Sequence, residues 1–188
     1  MKILMLGNSF TYYNSLDRLI AQLTGWHVER ITRGGAYLFQ FLNAQDELNI
    51  RLKEALSKEK WDYIVLQEQS NTPVLRPKLF QASVQKLCEL IRENNAQPLL
   101  YATWAYREGS TKLSSVNMSY QDMADALQNA YRSAAESNGA LFADVGEGFS
   151  AVLGTIDPYT GDDYHPSEAG SLVAAHRIIQ TIERHARS

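Results

Sequence analysis

Cysteine is almost missing from this 188-residue chain. The single Cys88 cannot form an intrachain disulfide, and nothing points to an oxidising compartment. It falls in step with Phe80, Val84, Leu87 and Ile91 along one helical face, the pattern of a small buried hydrophobe. No Cys/His cluster has zinc-ligand spacing. Charge of one sign is also in short supply. The 18 Lys and Arg residues against 21 Asp and Glu leave a net charge of −3, and no basic run forms, so neither nucleic acid nor a membrane surface is the expected partner. Long apolar runs are absent, and no stretch approaches a membrane span. The Met1–Leu6 apolar run is too short for a signal peptide. The expected location is the cytoplasm, unless a leader has been removed upstream. With hydrophobic content of 45% and charged content of 21%, the chain reads as one globular domain over residues 1–188.

Short apolar runs alternate with amphipathic stretches. Ile3 to Leu6 reads as a buried strand ended by Gly7. A helical pattern runs from about Ser15 to Leu23 and stops at Gly25. Trp26 to Ile31 alternates as a second strand and leads to Gly34-Gly35. Residues 36–58 read as helix, with a break at Asn43 and Asp46. Tyr63 to Leu66 is the clearest buried strand, followed by a polar loop over 67–77 and a helix over 78–94. Pro98 to Thr103 is the fourth strand. A second polar loop over 107–117 precedes a helix from Met118 to Ser137. Ala140 to Val145 is the fifth strand, and the last helix is expected to begin at Pro166. This alternation predicts βαβ units in a doubly wound α/β sheet. Ligands in such sheets bind beyond the carboxyl ends of the strands, where strand order reverses.

The chemistry-bearing residues fall at that rim. Ser9, in Gly7-Asn8-Ser9-Phe10-Thr11, follows the first strand. Alone it would be read as a helix cap. His165, in Asp162-Asp163-Tyr164-His165-Pro166, changes the weighing. A serine nucleophile needs an imidazole to take its proton and a group to orient that imidazole, and Asp162 is within one turn of His165. Asp163 is a neighbour able to compete. Position 11 is Thr, so the G-x-S-x-G elbow of the α/β-hydrolases is absent. Gly35 suits a turn, or a backbone N–H left open to a developing oxyanion. Gln67 and Gln69 suit strand-end solvation, or an amide donor in an oxyanion hole. Trp104, Tyr37 and Tyr12 are candidates for the substrate pocket, with core packing the competing reading for Trp104 and Tyr37.

In their order and spacing these tracts resemble the SGNH (GDSL-like) hydrolase superfamily of esterases, lipases and carbohydrate deacetylases. The superfamily's Gly-Asp-Ser block corresponds to Gly7-Asn8-Ser9, its glycine after strand two to Gly35, and its Gly-x-Asn-Asp block to Gln67-Glu68-Gln69-Ser70. Its Asp-x-x-His block corresponds to Asp162 through His165. Asn8 departs from the first block, and the third is more altered, with Gln67 in place of a glycine and Gln69 in place of an asparagine. The resemblance implies a three-layer α/β/α sandwich with a five-stranded parallel sheet in the order 2-1-3-4-5, flavodoxin-like in outline. It implies Ser9 as nucleophile, His165 as base and Asp162 as its partner. It further implies an oxyanion hole made of the Ser9 and Gly35 N–H groups with a side-chain amide. Register favours Gln69 for that amide, with Gln67 as the alternative.

The expected activity is hydrolysis of a small acyl ester, acetyl above all, on an alcohol such as a saccharide, with no metal or organic cofactor required. A lipase or thioesterase is the alternative, as is a ligand-binding module that has lost the chemistry. A flavodoxin-like anion or nucleotide site at the 7–11 loop would leave the Asp/His tract without a role.

Overall fold

The computed structural model describes residues 1–187. Its centre is a parallel sheet of β1 (Lys2–Gly7), β2 (His27–Thr32), β3 (Tyr63–Leu66), β4 (Gln97–Ala102) and β5 (Leu141–Asp144), in the spatial order β2-β1-β3-β4-β5. The helices are α1 (Ser9–Tyr12), α2 (Leu16–Thr24), α3 (Glu47–Lys58), α4 (Thr72–Leu75), α5 (Pro77–Glu93), α6 (Thr111–Ser115), α7 (Tyr120–Ser137), α8 (Val145–Val152) and α9 (Glu168–Ala186). Short 3₁₀ turns cover Tyr13–Ser15 and Leu38–Leu42. This is the expected α/β/α sandwich with the expected strand order.

Period-two alternation divides the central strands between two cores. Leu4 and Leu6 of β1, Ile64 and Leu66 of β3, and Leu100 of β4 face one side. There they meet Phe41, Leu52, Phe80, Leu87, Leu127 and Tyr131 from the 3₁₀ turn, α3, α5 and α7. Ile3, Met5, Val65, Leu99 and Tyr101 face the other, against Phe10, Ile20, Phe149 and Ile178 from α1, α2, α8 and α9. Both faces of β3 are covered, which is why it reads as a continuous apolar run. Cys88 is buried in the first of these cores, as its spacing predicts.

Local differences from the sequence reading have side-chain causes. The 36–58 segment divides where expected. The 3₁₀ turn ends at Asn43, whose backbone is extended, and Asp46 caps α3, its carboxylate accepting the Leu48 N–H at 3.0 Å. Two short helices, α4 and α6, lie within the stretches expected as polar loops. The last helix begins at Glu168 rather than Pro166, because Ser167 is its cap and accepts the Gly170 N–H. Pro166 instead forms a bridge with Tyr159.

Strand order reverses between β1 and β3, so the chain leaving each of them borders the same crevice. Among the described residues no helix is long and apolar enough to cross a membrane.

Candidate active site

The entry to α1 and the loops that follow β2, β3, β4 and β5 converge over the carboxyl edge of the sheet. They form a cleft of about 370 Å³. Asn8, Ser9, Gly34, Gly35, Gln69, Tyr106, Tyr164 and His165 are among its walls.

Ser9 opens α1. Asn8 caps that short helix, its Oδ1 accepting the Phe10 N–H at 3.1 Å, while its Nδ2 donates to the Ala36 carbonyl at 2.9 Å. The serine therefore sits on a turn held by a buried amide, half-buried at the cleft wall. Gly7 leaves room for the side chains that hold this turn. A Cβ there would lie 2.5 Å from both Gln67 Oε1 and Thr11 Oγ1.

Gly35 lines the cleft with φ +66°, in the left-handed region that glycine enters at no steric cost. Arg33, two residues before it, forms a bidentate pair with the Asp46 carboxylate at 2.8 and 2.9 Å. The hydrogen bonds from Arg33 hold the Asp46 carboxyl below the usual range.

The two glutamines have different fates. Gln67 is wholly buried, its Oε1 taking the Asn8 N–H at 3.0 Å and the Thr11 hydroxyl at 2.9 Å, and its Nε2 donating to the Glu68 carbonyl. Wholly buried and absent from the cleft walls, Gln67 braces the turn from below. Gln69 faces the cleft. Its Oε1 accepts from the Asn71 N–H, the Thr72 N–H and the Thr72 hydroxyl at 3.2, 3.2 and 2.9 Å, which turns Nε2 the other way, toward Ser70 Oγ at 3.2 Å.

His165 is 8% exposed. Its Nδ1 lies 2.7 Å from Asp162 Oδ2, and its backbone N–H donates to Asp162 Oδ1 at 3.0 Å. Asp162 also accepts from the Thr160 hydroxyl at 2.7 Å and the Tyr164 N–H at 3.2 Å. Burial works against its charge, yet the bonds from His165, Thr160 and Tyr164 outweigh that penalty and hold the carboxyl well below the ordinary carboxylate range. Asp163 turns away and pairs with Arg107 at 2.7 Å. An ionised acceptor at Nδ1 fixes the ring's orientation and leaves Nε2 for a proton from the cleft side. Among the described residues, no group of three or more His, Cys, Asp and Glu side chains is arranged to hold a metal ion.

The GDSL-like lipase/acylhydrolase family model matches residues 5–173. The chain belongs to this family. No curated protein matches it. A solved structure from Slackia heliotrinireducens, provisionally described as an SGNH hydrolase, shares 40% identity over 97% of this chain and 98% of its own, with a TM-score of 0.92. A DUF4886 family protein from Bacteroides uniformis superposes with a TM-score of 0.76 at 22% identity, covering 96% and 82% of the two chains. A catalytic mutant of an acetylxylan esterase from Geobacillus stearothermophilus gives 0.70 at 19% identity, covering 96% and 93%. The protein is thus an ester-hydrolysing enzyme of the GDSL-like, SGNH type.

Within this GDSL-like site, two residues expected at the substrate lie elsewhere. Trp104 is 1% exposed and belongs to the core. It is stacked between Phe149 (3.8 Å between centroids, 3° between planes) and Phe10 (4.5 Å, 10°). Its indole N–H donates to the Tyr164 carbonyl at 2.9 Å. The competing core reading therefore describes it. Tyr37 packs against Phe39 at the start of the 3₁₀ turn and stands behind the cleft residue Tyr106, whose hydroxyl feels its charge, rather than in the wall itself. Tyr12 does line the cleft, its hydroxyl 3.3 Å from where a Cβ on Gly34 would stand.

Two residues that carry no motif signal, Lys112 and Glu68, also belong to the GDSL-like site or its support. Lys112 of α6 reaches the cleft wall, its Nζ 4.4 Å from the Tyr164 ring centroid. Glu68 is completely buried beneath the third loop. Its Oε1 accepts the Leu38 and Gln69 N–H groups at 3.1 and 2.7 Å. Burial pushes this carboxyl up to about 7 against the opposing effect of those two bonds. One signal was available in the sequence: an acid two residues beyond the apolar run Tyr63 to Leu66.

Proposed function

We propose that this enzyme is a serine esterase that removes a small acyl group, acetyl in the first instance, from an alcohol such as a saccharide. In this reading His165 Nε2 takes the Ser9 hydroxyl proton as Ser9 Oγ attacks the acyl carbonyl. The Ser9 and Gly35 N–H groups and the Gln69 amide receive the oxyanion of the tetrahedral intermediate. His165 then gives the proton to the departing alcohol oxygen, leaving an acyl-serine. A water molecule, deprotonated by the same imidazole, releases the acid and restores Ser9. Asp162 stays ionised throughout and holds the ring.

The observation that carries this reading is the arrangement of Ser9, Gly35, Gln69 and His165 around one cleft, with Asp162 bonded to the far side of the imidazole. The cleft walls favour a hydroxyl-rich alcohol. Asn71, Ser115, Lys112, Tyr12 and Tyr164 bring polar groups to them, whereas a long acyl chain needs a continuous apolar wall. Acetylated saccharide chemistry also belongs to the Geobacillus stearothermophilus neighbour, an acetylxylan esterase, which supports the choice of substrate class to test.

The test is hydrolysis of p-nitrophenyl esters from acetate to decanoate by wild type and Ser9→Ala. Turnover that depends on Ser9 and falls steeply with chain length is the expected result. A preference for long chains would point to a lipase or thioesterase. Equal slow rates in the two proteins would contradict the serine mechanism and favour a binding role.

A further inference from the structure

Three buried side chains connect the loops around the proposed oxyanion site, and each connects a different pair. Asn8 joins the first loop to the second through its bond to the Ala36 carbonyl. Gln67 joins the third to the first through the Asn8 N–H and the Thr11 hydroxyl. Glu68 joins the third to the second, one carboxylate oxygen receiving both the Leu38 and the Gln69 N–H. None of the three is more than 3% exposed. The triangle is closed, so neither the Gly35 loop nor the Gln69 loop can shift without breaking a buried hydrogen bond.

Glu68 is the unusual corner. Its Oε1 takes two N–H groups, while its Oε2 is buried with no hydrogen-bond partner among the described residues. A buried carboxyl with half its acceptors idle is an expensive brace. What it supplies is a single acceptor fixed between two loops, reached from the strand below.

We propose that Glu68 is a positioning residue for ester hydrolysis: its Oε1 sets the spacing between the Gly35 loop and the Gln69 backbone, and so shapes the oxyanion site without touching substrate. This rests on the Ser9 reading above. Misplacing oxyanion donors by a fraction of an ångström weakens the transition state more than the ground state, so the loss falls on kcat rather than on KM.

The experiment compares Glu68→Ala and Glu68→Gln with wild type and Ser9→Ala on p-nitrophenyl acetate, together with amide hydrogen exchange at Leu38 and Gln69. Glu68→Ala is expected to lower kcat on the order of 10- to 100-fold with KM little changed. Glu68→Gln keeps a carbonyl acceptor at the Oε1 position and should stay within roughly 3-fold of wild type. Exchange at the two amides should accelerate in Glu68→Ala and not in Glu68→Gln. If Glu68→Ala does not fold, Glu68→Met fills the space without an acceptor and takes its place. Wild-type kcat in the variant lacking an acceptor, or equal damage in Glu68→Gln, overturns the proposal, as does unaltered exchange. Absence of Ser9-dependent turnover in wild type refutes the hydrolase reading itself, and the tie between the loops is then judged by exchange alone.

Discussion

The Tyr13 ring lies flat on the His165 imidazole, 4.2 Å between centroids and 2° between planes. Sequence places these residues far apart, and a strained turn brings them together. Asn14 and Ser15 both adopt left-handed backbone, at φ 50° and 51°, a conformation that costs a non-glycine residue about 1 kcal/mol or more. The Asn14 side chain offsets that cost by donating to the Pro166 carbonyl at 3.0 Å and to Ser171 Oγ at 2.8 Å. The segment after the serine is thereby fastened to the segment after the histidine, with Tyr13 as the face against which the imidazole rests.

Tyr13 should therefore matter to turnover through its ring and not its hydroxyl. Tyr13→Phe retains the stack and is expected within roughly 3-fold of wild-type kcat, whereas Tyr13→Ala frees one face of the imidazole and should lose about 10-fold or more. Steady-state kinetics on a short-chain ester separate the two. Equal rates in Tyr13→Ala and wild type would remove the ring from the account.

Trp104 acts on the same pair from below. It stacks on Phe10, the residue after Ser9, and its N–H holds the carbonyl of Tyr164, the residue before His165. Trp104→Ala should destabilise the fold by about 3–5 kcal/mol, through the lost aromatic packing and the cavity left behind. Trp104→Phe should cost less while leaving the Tyr164 carbonyl without its donor. Urea unfolding gives both values, and a near-neutral Trp104→Ala would contradict the packing described.

Stability should respond to pH through Glu68. Its carboxyl is raised from the ordinary 4.5 to about 7, chiefly by burial, against the opposing bonds from the Gln69 and Leu38 N–H groups. Below pH 4.5 the group is neutral in the folded and unfolded chain alike. As pH rises toward 7 the unfolded chain ionises first, so the folded state loses a relative advantage of up to about 3 kcal/mol. Glu68→Gln does not titrate. Wild-type stability minus that of the variant should fall between pH 4.5 and 8, and unfolding free energies at a series of pH values measure the slope. A flat difference would show that Glu68 ionises normally.

Much of this architecture was legible in the chain. The Tyr63 to Leu66 run, apolar on both faces, announced a central parallel strand. The alternation of strands and helices announced the doubly wound sheet, and Asp46 marked the break in the 36–58 segment. The cleft was legible because the informative residues followed successive strands, so topology alone gathered Ser9, Gly35, Gln69 and His165 at one rim. What escaped depends on side-chain direction. Nothing in the spacing of Gln67 and Gln69 says that one points down into the core and the other out into the cleft. Sequence distance likewise hides the stack of Trp104 between Phe10 and Phe149, which comes from three separate elements. Glu68 was the hardest to read. Acids usually mark exposed positions, and its burial is tolerable only because two backbone N–H groups from different loops converge on one oxygen.

The central claim is that Ser9 is the nucleophile activated by His165. The most direct measurement is covalent labelling by a fluorophosphonate, followed by peptide mass spectrometry to locate the adduct, in wild type and His165→Ala. The account predicts one adduct, on Ser9, forming at least on the order of 100-fold more slowly when His165 is replaced. Labelling at another residue, or labelling of Ser9 that proceeds equally fast without His165, would contradict it.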